Sequence, residues 1–185
     1  MKKFLTVLMA LVLICSSMLL LVGCGGNGNS GGLSADNITL GSVTEKPEDY
    51  SVFSNEYVTF YYPTSWFYDS GYNGCSVVDR ATGTGINAGL PYYGANAESA
   101  DLFAEDRRME DVEGAPEGGT VSEVTMIEEN IYTFTLAYMG QTATNLLILS
   151  TDDDGKVVYY FEIGYSDRTD MQQLTTIINS IQFAN

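Results

Sequence analysis

The stretch TATNLLILSTDDDGKVVYYFEIGY, at residues 142–165, decides the fold. Its first half contains the apolar run Leu146-Leu147-Ile148-Leu149, which is typical of a strand covered on both faces. Its second half, 157–165, is rich in aromatic and β-branched residues, as strands are. Between the halves, Asp154-Gly155 is the dipeptide that favours a tight hairpin turn. The stretch therefore predicts two antiparallel strands joined by a short turn.

The rest of the chain adds strands and two helices to this hairpin. Strands are predicted on the N-terminal side at 56–62, 66–68, 75–80 and 86–93, and on either side of a shared turn at 121–127 and 130–139. Helices are predicted at 97–112 and at 170–181. The second helix repeats apolar residues at helical spacing and begins at a predicted capping box of Thr169 with Gln172. Strands joined by short turns predict an α+β fold, an antiparallel β-sheet flanked by helices.

Two motifs at opposite ends of this domain resemble a known family. The first is VTFYYPTSW at residues 58–66, and the second is INSIQF at residues 178–183. Together they resemble the PsbP-like superfamily, which includes the Mog proteins and many bacterial lipoproteins. The resemblance implies an α/β/α sandwich, in which Tyr62, Pro63 and Trp66 are fold determinants. It implies no catalytic residue, since members range from a photosystem subunit to a Ran-binding protein and secretion chaperones.

The N-terminus resembles a lipoprotein leader. Lys2 and Lys3 precede the uncharged, mostly apolar segment 4–22, which is the layout of a secretory signal. Leu21-Val22-Gly23-Cys24 resembles a lipobox, so Leu21, Val22 and Gly23 are the predicted signal-peptidase recognition residues and Cys24 the lipidated one. This predicts a signal peptide at 1–23, a flexible Gly/Ser/Asn-rich tether at 24–48 and a domain at 49–185. The alternative is an uncleaved membrane helix, which also puts the domain outside the cytoplasm.

Composition excludes several functions. The chain has 24 acidic and 8 basic residues and a net charge of −16, which disfavours nucleic acid and anionic lipid as partners. It has no histidine, which excludes Ser-His-Asp and Cys-His catalysis and imidazole metal sites. No cofactor or metal is expected. The triple aspartate 152–154 invites a calcium interpretation, but its acids are contiguous rather than alternate, and the hairpin explains it better.

Tyrosines beside turns are the predicted ligand contacts. They are Tyr68, Tyr72, Tyr92 and Tyr93. Exposed aromatic rings stack on peptide side chains or sugar faces. The remaining thiol, Cys75, is expected to be a small buried hydrophobic residue.

Three functional hypotheses follow from these features. The first is a membrane-anchored, extracytoplasmic and non-enzymatic domain that binds an envelope protein or peptide. The second is a cell-wall carbohydrate-binding module. The third is a carboxylate-dependent hydrolase, for which the acid pairs at 105–106 and 128–129 are the candidates. Arg107 and Arg108 are expected to pair with surface acids such as Asp111.

Overall fold

The computed structural model describes Leu33 and residues 35–71, 74–91 and 99–184. The strands of these residues are β1 (Tyr50–Ser54), β2 (Val58–Pro63), β3 (Phe67–Gly71), β4 (Gly74–Val78), β5 (Gly85–Gly89), β6 (Thr120–Val121), β7 (Thr125–Glu128), β8 (Ile131–Tyr138), β9 (Gln141–Thr151), β10 (Val157–Ser166) and β11 (Gln182–Phe183). The helices are α1 (Ala100–Gly114) and α2 (Met171–Asn179), and a 3₁₀ turn covers Ala35–Asn37.

An eight-stranded antiparallel sheet is built around the predicted hairpin. Its strand order is β3-β4-β5-β10-β9-β8-β6, and β7 also pairs with β8. In β9, the side chains of Leu146 to Leu149 are all buried. Successive residues of a strand face opposite sides of the sheet, and here both faces of the sheet are covered. Thr151 pairs with Val157 across the turn, which confirms the predicted hairpin.

A second, three-stranded sheet covers one face of the first. Its strand order is β1-β2-β11, so the two ends of the domain meet in one sheet. Val58 and Phe60 of β2 alternate toward the core and are almost fully buried. They pack with Phe161 and Ile163 of β10, and Leu174 of α2 joins the same core. The main core therefore lies between two sheets.

Helix α1 covers part of the opposite face of the large sheet. Ala100 and Ala104 pack on Tyr132, Phe134 and Leu147, which form a smaller second core. Two small alanines let the helix backbone approach the strands closely. Tyr132 also donates a hydrogen bond of 2.9 Å to the Asp101 carboxylate.

The predicted helix-flanked α/β/α sandwich is wrong. The structure is a β-rich sandwich of antiparallel sheets with two α-helices among the described residues. The layer that was expected to be helical is mainly the small sheet, with the nine-residue α2 beside it. Alternation along a strand shows that one face is buried, but it does not show which of two sheets the strand joins. The sequence pattern therefore predicts a single sheet where the structure has two.

Part of the segment predicted as tether lies against the domain. Ile38 is buried in the main core, and Leu33 and Leu40 pack against that core. The Asn179 side chain accepts a hydrogen bond of 2.7 Å from the Thr39 amide, and its carbonyl accepts one of 3.0 Å from the Val43 amide. Thr39 and Val43, within the segment predicted as a tether over 24–48, are thus bonded to the last residue of α2.

The residues predicted as fold determinants fill the corner between β2 and β3. Tyr62 and Trp66 are buried, and the Trp66 indole N–H donates to Gln173 Oε1 at 3.2 Å. The predicted capping box at the start of α2 differs from what is found. Asp170 is the N-cap and accepts from the Gln172 and Gln173 amides, whereas the Thr169 hydroxyl is buried and bonded to Thr84.

Candidate functional site

Strand β3 is an open edge of the large sheet. Among the described strands it pairs only with β4, and all five of its residues are exposed. The neighbouring β4 is mostly buried. Natural edge strands are usually protected by bulges, prolines or several charges. This one has a regular register and a single charge, Asp69, so it presents an accessible row of backbone groups.

An aromatic cluster joins this edge to the small sheet. The rings of Tyr62 and Tyr68 stack with centroids 5.6 Å apart, and the ring of Phe53 in β1 lies 6.5 Å from that of Tyr68. The side chain of Phe60, next to these rings in the core, is fully buried, whereas that of Tyr68 is 40% exposed. Because β1 and β3 are both edge strands, these packed rings lie where the edges of the two sheets come together. We call Phe53, Tyr62 and Tyr68 the aromatic mouth.

The outer face of β3 carries a second exposed ring. Phe67 is 47% exposed and has the Arg80 guanidinium 4.3 Å from its ring centroid. The next outward residue, Asp69, lies opposite Ser76, which in turn lies opposite Asn87 on β5. Side chains that are paired across strands share a face, so these three form a polar row beside Phe67. The edge is therefore aromatic on both faces and acidic at its middle.

Of the four predicted contact tyrosines, only Tyr68 lies in the described part of the chain. It is exposed at the aromatic mouth. Burial of its ring raises the pKa of the Tyr68 hydroxyl above its usual value. Tyr72, Tyr92 and Tyr93 lie outside the described residues, as do Leu21, Val22, Gly23 and Cys24. Phe53 and Phe67 were not singled out, because nothing local indicates that β1 and β3 are edges.

A polar cluster lies between α1 and the large sheet. The Arg107 guanidinium donates to Glu162 on β10 and, at 2.6 Å, to Glu110 on its own helix. The Asp111 carboxylate accepts a hydrogen bond of 2.6 Å from the side-chain amide of Asn145 on β9. The prediction that Arg107 pairs with a surface acid such as Asp111 missed its main partner, Glu162. Arg108 instead donates to Glu105, with a distance of 2.9 Å from its Nε.

Burial in this cluster perturbs two ionisable groups. Burial raises the pKa of Asp111 to about 6, and the nearby Glu162 charge adds to this, while Arg107 opposes it. Burial lowers the pKa of Arg107, but the Glu162 and Glu110 carboxylates outweigh it and the net shift is upward. The Arg107 Nε is buried without a hydrogen-bond partner among the described residues. The cluster fastens α1 to the sheet through one cation and several acids.

The acid pairs considered for hydrolysis lie elsewhere. Glu105 is bonded to Arg108 on the surface of α1, and Asp106 is exposed. Glu128 and Glu129 line an open cavity of about 410 Å³ together with the apolar Ile38, Leu40 and Ile131. Glu128 is the last residue of β7, and Glu129 lies in the turn that follows it. The acids that the fold does bring together, Asp111 and Glu162, are bound to other side chains.

The other candidate residues have structural partners. Cys75 is buried in the main core, as predicted, and burial raises its thiol pKa to about 12. The Asp152 carboxylate accepts from the Asp154 and Lys156 amides at 3.0 and 2.9 Å, which orders the hairpin turn.

Within the described ranges, no group of three or more acidic or thiol side chains is arranged to hold a metal. In the same ranges, neither helix has the length and apolar character needed to cross a bilayer.

Comparisons with known proteins find partial structural similarity only. No family model and no curated protein sequence matches the chain. Among solved structures, the Saccharomyces cerevisiae Ran-binding protein Mog1p is similar, with a TM-score of 0.47, 10% identity, and coverage of 74% of this chain and 96% of that one. A protein from Bacteroides thetaiotaomicron gives a TM-score of 0.28 and 12% identity, covering 76% of this chain and 44% of that one.

Proposed function

We propose that this chain is a lipid-anchored, extracytoplasmic and non-enzymatic binding protein that holds a segment of a partner protein along β3. One observation carries the proposal: β3 is an accessible sheet edge with exposed aromatic rings on both faces, Phe67 and Tyr68. Binding surfaces are enriched in aromatic side chains, and an open strand edge offers backbone hydrogen bonds to an extended peptide.

The anchor comes from the leader and limits where the site can act. Lipid on Cys24 would leave residues 24–32 before Leu33, which packs on the core. A flexible chain of that length reaches about 15–18 Å. The domain would therefore stay close to the membrane surface. An envelope protein with an accessible extended segment is the partner class that such a short tether favours.

The anchor is tested by labelling cells with a fatty-acid analogue. We expect Cys24→Ala to lose the label and to run as the larger, unprocessed form on gels. Cys15→Ala removes the other cysteine of the leader and should keep both the label and the processing. Unchanged labelling of Cys24→Ala would disprove the anchor and leave the binding site to be judged separately.

The binding site is tested by photo-crosslinking in living cells. A photoreactive phenylalanine analogue is placed at Tyr68, and at Met139 as a control, because Met139 is 78% exposed at the turn between β8 and β9. We expect a discrete protein adduct from position 68 and none of that mass from position 139. The absence of any adduct at both Tyr68 and Phe67, or the same adducts from Met139, would rule out this site.

A cell-wall carbohydrate is the second candidate ligand. The observation in its favour is the polar row of Asp69, Ser76 and Asn87 beside the exposed Phe67 ring, since sugar sites combine a ring face with amide and carboxylate groups. Binding to purified cell wall that is weakened at least tenfold by both Asn87→Ala and Phe67→Ala would favour it. Wall binding that neither substitution changes would remove it.

A further inference from the structure

We propose that the segment held by β3 is a cationic β-strand, and that Asp69 both selects it and prevents β3 from pairing with a second copy of this chain. This inference rests on the proposed binding site and names the chemistry of its partner. It follows from three features of the edge: the direction of its backbone groups, the faces of its side chains and the position of its only charge.

The hairpin geometry fixes which backbone groups of β3 are available. Two residues separate Gly71 from Gly74, and these glycines are paired at the end of the hairpin. In hairpins with a two-residue loop, the closing pair exchanges both hydrogen bonds, and bonded and non-bonded pairs then alternate. Phe67, Asp69 and Gly71 therefore direct their backbone groups to β4. The N–H and C=O groups of Tyr68 and Ser70 point to the open side, where an added strand can bond to them.

The side chains of β3 define what lies opposite them. A residue of the added strand opposite Tyr68 would share the inner face and lie against the aromatic mouth at its exposed ring, Tyr68. An apolar side chain fits there, because the mouth offers it only aromatic rings. The residue opposite Asp69 would share the outer face, where lysine or arginine satisfies the carboxylate. The partner strand thus combines an apolar residue with a neighbouring cation.

The charge of Asp69 argues against a second copy as the occupant. Two β3 strands in full antiparallel overlap would pair Phe67 with Gly71, Tyr68 with Ser70, and Asp69 with itself. Like charges directly opposite one another destabilise a strand pair, and a charge in the middle of an edge strand is a common defence against self-association. The net charge of −16 on each copy adds to this repulsion and attracts a basic segment.

The test measures binding of two labelled peptides to the full chain in non-ionic detergent. One peptide alternates valine with lysine over eight residues, and the other alternates valine with glutamate. Fluorescence anisotropy should show the lysine peptide binding at least tenfold more tightly than the glutamate peptide. We expect Asp69→Asn to weaken lysine-peptide binding by about two- to fivefold, within the range of a cross-strand charge pair. Asp153→Asn removes the same charge at the exposed turn before β10 and should leave binding unchanged.

Two further variants separate strand addition from simple charge attraction. Ser70→Pro removes an amide that is not used by β4, so the hairpin is retained while the added strand loses a donor. We expect it to abolish binding of the lysine peptide. Asp69→Lys keeps the whole backbone and should weaken lysine-peptide binding further than Asp69→Asn does, while the glutamate peptide binds more tightly than it does to the wild type. That variant keeps the test decisive if Ser70→Pro proves unstable.

The outcomes distinguish this inference from the proposed function beneath it. Equal binding of both peptides, or equal losses in Asp69→Asn and Asp153→Asn, would overturn the cationic-strand inference while crosslinking at Tyr68 kept the partner site. A dimer formed by Asp69→Asn but not by the wild-type chain, seen by sedimentation, would support the second role of Asp69. A wild-type dimer whose crosslinks map to β3 would overturn it.

Discussion

Replacing Asp111 with asparagine is expected to stabilise the protein at neutral pH and not in acid. The folded-state pKa of Asp111 is about 6, whereas its ordinary value is 3.8. Between these two values the folded state holds a proton that the unfolded chain has released, so stability falls as the pH rises through this window. Above pH 6 the loss is complete and amounts to at most about 3 kcal/mol. Asparagine never ionises, so the Asp111→Asn variant avoids this loss of stability.

The substitution leaves the local geometry in place. The new amide oxygen can still accept the 2.6 Å hydrogen bond from Asn145. The assay is urea unfolding at several pH values between 4 and 8, followed by the fluorescence of Trp66, the only tryptophan and a buried one. The difference in unfolding free energy between variant and wild type should grow with pH toward about 2 kcal/mol. Asp106→Asn, an exposed change on the same helix, should show no such trend.

A different result would refute the reasoning. Destabilisation of Asp111→Asn by the same amount at all pH values would mean that the carboxylate is charged throughout. Its attraction to Arg107 would then exceed the cost of burying it. The acid cluster under α1 would in that case be a stabilising network rather than one tolerated at neutral pH.

Three other substitutions or treatments have definite expected outcomes. Gly74→Ala would place a Cβ atom 2.1 Å from the Ala88 carbonyl oxygen. We therefore expect the free energy of unfolding to fall by more than about 3 kcal/mol. A loss below about 1 kcal/mol would contradict the close approach of β4 and β5. Cys75 should react with a thiol reagent only after denaturation, because its thiol is buried with a pKa of about 12, and rapid labelling of the native protein would contradict this. Met139 and Gly140 both have left-handed backbones, with φ of 51° and 76°. Asparagine tolerates this conformation better than methionine, so Met139→Asn should stabilise the protein by about 0.5–1 kcal/mol in thermal unfolding. A lower melting temperature would count against this.

The predictable part of the fold is the part encoded by neighbouring residues. The run Leu146 to Leu149 has no polar position, so it indicates a doubly covered strand wherever that strand lies. The turn before Val157 is likewise a local property of Asp154-Gly155. The small sheet was missed because β2 has the same alternation whether its partner is β11 or a strand of the large sheet. Its pairing depends on contacts between residues more than 100 positions apart, such as Thr59 with Gln182.

The candidate site likewise has a part that neighbouring residues predict and a part that depends on distant contacts. Tyr68 could be predicted as exposed, since an aromatic residue before a turn has few neighbours to cover it. That Phe53 lies beside it depends on how two sheets pack, which no local pattern specifies. The contact of Arg107 with Glu162 joins a helix to a strand over 55 positions, and helical spacing suggested only neighbours on the same helix.

The pairing of β2 with β11 also constrains when this protein can fold. Val58 lies opposite Phe183, and the Tyr57 carbonyl accepts a hydrogen bond of 2.8 Å from the Ala184 amide. The small sheet thus closes only after residues 182–184 are available, and contacts of such long range form slowly. A chain emerging in order from N- to C-terminus would carry β1 and β2 as an incomplete sheet until β11 has emerged. Removing residues 182–185 should therefore leave one edge of β2 unpaired and more open to proteases.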